Sequence, residues 1–201
     1  GLFGSLIIQE GSLRSFQWMY WIDAATFLVY LAIILSLHGE GLDKYEPKHD
    51  EPAQGTYRDL LKIKPLVLLG TGGIILFTFG YGVIQAGVPI FATQFLGLSP
   101  KWLGLIFGVN TIAIFTLQPL VMRILERYSK YNALIAIGII WSLSWLFVGI
   151  SPLLPLFASG IALCMSQLIF AVGEMIQAPT IPTLANELAP EHIRGRANAW
   201  M

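Results

Sequence analysis

The stretch NALIAIGIIWSLSWLFVGI, residues 132–150, contains no charged side chain. As a helix rising ~1.5 Å per residue it is about as long as the ~30 Å hydrocarbon core of a bilayer is thick. Apolar residues fall on every side of that helix, so it has no wet face to turn to water. A segment of this kind reads as a membrane-crossing helix.

Four more stretches read the same way: residues 16–37, with Asp23 their only charge, 65–91, 102–122 and 153–177. Residues 1–9 read as the tail of an earlier span and 197–201 as the start of a later one. The expected fold class is therefore all-α, a polytopic membrane helical bundle crossing the bilayer five times. Composition agrees: 55% of the 201 residues are apolar and 12% charged, against ~25% charged in soluble domains, and the mean hydropathy is +0.68. Twelve basic and twelve acidic residues cancel, with no basic tract for nucleic acid and no acidic tail. The single cysteine, Cys164, lies inside an apolar run, so there is no disulfide framework or zinc spacing, and it reads as a buried small residue. The chain starts at Gly1 without a basic, cleavable leader and stops at Met201 just inside a new apolar pattern. The expectation is a piece of a longer chain.

Lysine and arginine set the orientation. Lys44, Lys48, Arg58, Lys62 and Lys64 fall between the first and second spans, Arg123, Arg127 and Lys130 between the third and fourth, Arg194 and Arg196 after the fifth. Ten of the twelve basic residues thus share one side, with Arg14 and Lys101 on the other. That side is expected to be cytoplasmic, which places residues 38–64, 123–131 and 179–196 there. Residues 38–64, charged and carrying Pro47 and Pro52, read as a linker between two bundles. Within it, residues 56–63 are open to two readings, a short interfacial helix or a solvated tether.

Three short motifs go further. Gly173-Glu174-Met175-Ile176-Gln177-Ala178-Pro179 is followed by Leu188-Ala189-Pro190-Glu191-His192-Ile193-Arg194-Gly195-Arg196. Arg123-Ile124-Leu125-Glu126-Arg127-Tyr128-Ser129-Lys130 joins the third and fourth spans, and Gly1-Leu2-Phe3-Gly4-Ser5 opens the chain. The first pair resembles the end of the tenth helix and the following loop of major facilitator superfamily transporters, particularly the drug:proton antiporter branch. The second is similar to a degenerate second copy of that family's G-x-x-x-D-R-x-G-R loop, with Met122 and Ser129 in its glycine positions. The third is similar to the end of the fifth-helix G-P-x-x-G-G pattern.

The resemblance covers the whole chain and implies a partial transporter fold. Residues 1–37 would be the end of the amino-terminal bundle, 38–64 the central linker, and 65–201 helices seven to ten with the start of eleven. Three-helix inverted repeats are the architecture of this fold. The implied activity is alternating-access transport, as proton-coupled efflux of drug-like or amphipathic compounds. The proton gradient is the energy source and no cofactor is implied. Implied partners are the lipid bilayer, a small-molecule substrate and the rest of the full-length chain. The complete protein would be a monomer in the plasma membrane, without nucleic acid. An importer of sugars, nucleosides or peptides is the alternative within the family. Outside it stand an integral-membrane lipid-modifying enzyme, which would need a cluster of Asp or His at one face, and a membrane scaffold or receptor. No metal spacing, Ser-His-Asp set or phosphate loop is present, and His38, His49 and His192 fall in loops.

Two intramembrane acids are candidates by their cost alone. Glu174 is expected near the basic end of its span, pairing with Arg123 or Arg127 in a gating network that also takes in Glu126, Lys130, Arg194 and Arg196. Asp23 is the proton-coupling candidate, set against a plain helix-packing role. The second span is rich in glycine around Gly80-Tyr81-Gly82, where transporter helices break to form sites. Tyr81, Gln85, Asn110, Gln118, Trp141, Gln167 and Phe170, with Phe79 and Trp145 beside them, are the candidate lining of a weakly polar aromatic cavity.

Overall fold

Backbone polar groups in a bilayer must be satisfied within the segment, and this leaves uncharged runs of such length one choice, the helix. The computed structural model describes residues 13–36 and 55–201. Its helices are α1 (Leu13–Ser36), α2 (Tyr57–Leu61), α3 (Lys64–Phe95), α4 (Pro100–Leu125), α5 (Lys130–Ile150), α6 (Leu156–Leu188) and α7 (Arg194–Trp200). By length and composition α3, α4, α5 and α6 can each cross a membrane. The first predicted span falls in α1, where the apolar run Tyr20–Ile33 is shorter than a crossing; a fifth span rests on the sequence. The described side chains of α1 are exposed.

Local sequence fixes the turns. Gly97, at φ 71°, takes the left-handed conformation that closes α3, and Leu98 N–H donates back to Ala92 O at 2.9 Å in a Schellman-type end. Ser99 is extended and Pro100 then opens α4 in the first-turn position where a missing N–H costs nothing. At α5, Ser129 Oγ accepts from Asn132 N–H at 3.2 Å, a side-chain N-cap. The short 3₁₀ turn Ser151–Leu153 leads to α6, and Ser159 Oγ donates to Ser151 O at 2.8 Å across it.

Two helix ends differ from the sequence reading. α3 runs on to Phe95, and its middle, Leu76–Gly87, is wound as a π-helix. α6 does not stop near Gln177 but continues through Pro179 and Pro182 to Leu188. Each proline removes one backbone N–H. Thr180 Oγ1 donates to Ile176 O at 2.6 Å and Thr183 Oγ1 to Pro179 O at 2.7 Å, each a side-chain bond one turn back beside a carbonyl that a proline leaves without its donor. The expected loop at 179–196 therefore shrinks to the residues after Leu188, a 3₁₀ turn at Glu191–Ile193 and then α7.

α6 is the most buried of the long helices, with α4 and α5 packed along it and scarcely touching one another. Lipid tails are as apolar as leucine, so close packing rather than water exclusion holds such helices together. The seam accordingly uses small residues. A side chain at Gly160 would come within 2.5–2.7 Å of the Trp102 ring, and Ser144 Oγ donates to Ser166 O at 2.9 Å. The outward faces are bare, with Phe115 86% and Phe95 77% exposed, an arrangement suited to lipid and not to water.

The packing has three levels. Leu60, Leu66, Ala189, Ile193 and Ala197 form a cluster at the basic end. Ile84, Val88, Ile137, Trp141 and Phe170 form the middle one, and Ala92, Leu98, Ile106 and Leu163 the one at the opposite end. Residues 56–63 take the helical reading, as α2. Thr56 caps it, its N–H donating to Asp59 Oδ2 at 2.9 Å, and Leu60 is wholly buried in the basic-end cluster.

Candidate functional site

α3, α4, α5 and α6 bring an aromatic cluster and a polar chain together in the middle of the bundle. Phe170, Glu174 and Gln177 follow one another on α6 at spacings of four and three, hence on one face. Trp141 of α5 stacks on Phe170 with ring centroids 4.7 Å apart and planes 8° from parallel. Tyr81 stands edge-on to both, at 5.5 Å from Trp141 and 5.4 Å from Phe170. Edge-to-face and stacked pairs of this kind each add about 1 kcal/mol beyond contact area. Trp141 Nε1–H donates to Phe170 O at 3.1 Å, so the indole fills its site without an orphan donor.

Glycine makes this possible at one position in particular. A Cβ on Gly173 would fall inside the Trp141 indole. Gly80, beside the six-membered part of the same indole, is different: a Cβ there would sit 3.6 Å away, in ordinary contact. The π-wound turns of α3 carry Tyr81 to this position, and such turns often mark functional sites.

Below the rings lies the polar chain. Tyr81 Oη–H donates to Gln177 Oε1 at 3.2 Å, and Asn110 Nδ2–H of α4 donates to Glu174 Oε2 at 2.7 Å. Tyr81 is also an electrostatic neighbour of Glu174. Glu174 is half-buried, and among the described residues no lysine, arginine or histidine forms an ion pair with it. A carboxylate in a membrane-spanning helix that accepts from an amide and has no counter-ion among the described residues can take up or release a proton or meet a cationic ligand.

The expected pairing of Glu174 with Arg123 or Arg127 is not what forms. The extension of α6 is the reason: from Glu174 to Leu188 are fourteen residues of helix, or ~21 Å along the axis, too deep for the turn between α4 and α5 to reach. The acid that meets that turn is Glu187, which pairs with Lys130. Arg194 lies 3.6 Å from Glu191 and donates from Nε to Asn186 O at 3.1 Å, and Arg196 lies over the Tyr57 ring at 5.7 Å. Arg123, Glu126 and Arg127 are exposed and, among the described residues, have no ion pair.

Of the expected cavity residues, Tyr81, Trp141, Phe170 and Asn110 come together. Gln85 is exposed and Gln118 half-buried; neither joins the cluster. Gln167 is a correction: it is 1% exposed, with Nε2 unpartnered, so it lies inside the helix packing and not on an open path. Trp141 and Phe170 are likewise closed in the stack at 3% and 1% exposure, leaving Tyr81, Asn110 and Glu174 as the more accessible groups. Phe79 is exposed and Trp145 half-buried. The side chain of Asp23 is outside the described residues. Gln177 was missed as a site residue, although it stands three residues after Glu174 in the quoted motif, the spacing that puts it on the same face.

The family model of the Major Facilitator Superfamily matches residues 1–201. The chain is similar to the MFS-type transporter YttB of Bacillus subtilis (strain 168), with 29% identity over 136 residues, 67% of this chain and 32% of that protein. The matched stretch thus spans about a third of the relative's length. No solved structure matches the chain.

Proposed function

This chain belongs to the Major Facilitator Superfamily, a family of membrane transporters and not of enzymes, and from that premise we propose that it is part of a carrier exporting small amphipathic compounds against proton entry. The observation that carries the reading is the 2.7 Å bond from Asn110 to Glu174, a carboxylate beside Tyr81 that forms no ion pair among the described residues. Proton-coupled carriers need a group whose charge state differs between the two halves of the cycle. Glu174 has the position for it, since releasing a proton leaves a charge that the Asn110 amide stabilises and a substrate cation would compete for.

Asp23, the expected coupling acid, is the second candidate for the same role. The two bundles joined by the linker at 38–64 would rock about the site, with the contacts of the linker's end at the basic face, Gly55 to His192 and Leu60 in its cluster, making and breaking as a two-state element. In this reading the protein is a plasma-membrane monomer with its basic end in the cytoplasm.

The test is transport by the full-length carrier in inverted membrane vesicles, with an imposed proton gradient and a panel of lipophilic dyes and drugs. Glu174→Gln keeps the Asn110 contact but cannot ionise. The expected result is loss of gradient-driven accumulation, with substrate counterflow retained. Unchanged gradient dependence in Glu174→Gln, with loss in Asp23→Asn, would move the coupling role to Asp23. Accumulation in the opposite direction would identify an importer.

A further inference from the structure

Tyr81 has one phenolic proton to donate and two acceptors beside it. Its hydroxyl donates to Gln177 Oε1 at 3.2 Å, long for a bond between oxygens, which usually spans about 2.5–3.0 Å. The Glu174 carboxyl is also within hydrogen-bonding reach of the same phenol. Glu174 and Gln177 stand three residues apart on one face of α6, ~4.5 Å along its axis. Passing the bond from one to the other takes a turn of the hydroxyl and no movement of the helix. Asn110 of α4 holds Glu174 independently, at 2.7 Å.

The charge on Glu174 decides which acceptor wins. While the carboxyl is protonated, both acceptors are neutral, and Gln177 keeps the bond that the structure shows. A bond to an ionised carboxylate is shorter and roughly twice as strong as one between neutral groups, and a low-dielectric interior strengthens it further. Ionised Glu174 therefore outbids the amide. Nothing else nearby competes for that charge. The other titratable residues of α3, α4 and α5, which are Lys64, Lys101, Arg123, Lys130 and Tyr131, stand at helix ends. Glu187 lies near the end of α6, Cys164 almost three turns before Glu174, and Arg194 and Arg196 of α7 beyond α6.

The bond to Gln177 matters because of where it falls. Gln177 stands two residues before Pro179, whose missing N–H leaves the Met175 carbonyl without its helical donor. Tyr81 thus ties α3 to a weakened turn of α6, on the way from the aromatic rings to the basic-end cluster where Leu66 and Ala189 meet. We infer that Tyr81 is a positioning residue that transmits the charge state of Glu174 to α6: its hydroxyl holds Gln177 while Glu174 is neutral and turns to Glu174 when it ionises, freeing the turn ahead of Pro179 from α3. The inference rests on Glu174 as the group that changes charge during transport, and adds how that change leaves the site.

Infrared difference spectra of the full-length protein in lipid, with ring-labelled tyrosine, taken between acid and mildly alkaline pH, test it. The phenolic C–O stretch reports what the hydroxyl donates to, and a protonated carboxyl has a band of its own. The parent should lose a carboxyl band at the alkaline end, together with a shift of one tyrosine band. Tyr81→Phe, which keeps the ring, should lose the tyrosine shift and keep the titrating carboxyl. Glu174→Gln should lose both, and Gln177→Leu, which leaves the hydroxyl one acceptor, should diminish the shift. A tyrosine shift that survives in Tyr81→Phe or Glu174→Gln, or is undiminished in Gln177→Leu, would overturn the proposal. A titrating carboxyl that Glu174→Gln removes, without any tyrosine shift, would overturn it and leave Glu174 as the coupling acid. Spectra in which no such carboxyl titrates would remove both.

Discussion

The middle of the bundle and its basic end are both buried, but they are held in different ways. The middle cluster draws on three long helices, α3, α5 and α6, and its central contact is ring on ring, with Trp141 hydrogen-bonded to the backbone of Phe170. The basic-end cluster is assembled from short elements: Leu60 of α2, Leu66 at the start of α3, and Ala189, Ile193 and Ala197 around the α6–α7 corner. Gly55 N–H donates to His192 O at 3.1 Å, stitching the end of the linker to that corner. The first can open only if long helices separate. The second is a clasp, which can undo by the departure of five helical residues and the segment ahead of them. A rocking carrier needs both kinds of contact, a rigid element to carry the site and a weak one to make and break.

Substitutions at the Trp141 ring should break the comparison most sharply. Gly173→Ala places a methyl group inside the indole, and overpacking a filled core costs roughly 1–3 kcal/mol or displaces the ring. Displacing Trp141 breaks the stack and the hydrogen bond to Phe170 together. The full-length protein carrying Gly173→Ala should melt several degrees lower and lose transport. Gly80→Ala, beside the six-membered part of the same indole with its Cβ at 3.6 Å, should melt near the parent. Equal melting of the two in a thermal scan followed by tryptophan fluorescence would show that the ring is not fixed as described.

At the basic end, Leu60→Ala removes a wholly buried side chain, and such truncations cost about 2–5 kcal/mol where the site cannot collapse. Here the loss falls on a clasp and not on the bundle. The expected outcome is faster cleavage of the linker by added protease with a melting temperature close to the parent. A fall in melting temperature as large as that of Gly173→Ala would mean that the two regions are one cooperative unit. The Lys130–Glu187 pair should matter less, since both side chains are well exposed and such pairs are worth at most about 1 kcal/mol. Lys130→Glu with Glu187→Lys should restore whatever either reversal alone removes from transport.

The sequence was legible wherever length and lack of charge decide the outcome. Residues 102–122 and 132–150 sit inside α4 and α5 with ends a few residues off, because an uncharged run of this length has no alternative to a helix. The far end of α6 was not legible, since Pro179 and Pro182 are strong stop signals and the helix nonetheless continues through both. That single misreading moved Glu174 from the helix end to its interior and produced the wrong partner for it. The candidate residues show the same division. Tyr81 beside a glycine break, and Trp141 and Phe170 as large rings at mid-span, were found from residue type. Gln167 could not be told from a lining residue, because burial in a membrane helix depends on which neighbour covers it, and the sequence of one helix does not hold that information.

The smallest effect belongs to the cap of the clasp. The Lys62 ammonium bonded to Asp59 holds that carboxyl well below the usual carboxylate range, and the Thr56 N–H and hydroxyl add to the shift. A depressed carboxyl stabilises the folded form above its unfolded value, ~3.9, and that stabilisation is lost as pH falls from there toward the folded value. α2 should therefore hold its place from neutrality down to about pH 4 and loosen below it, while the apolar contacts of Trp141 and Phe170 contain nothing that titrates. Limited proteolysis of the linker by an acid-active protease, followed from pH 6 to pH 3, should show cleavage rising only at the acid end, and Asp59→Asn should flatten the curve. Because Asp59 is at the surface, the change in cleavage should be modest. A steep rise that persists in Asp59→Asn would place the acid sensitivity elsewhere in the clasp.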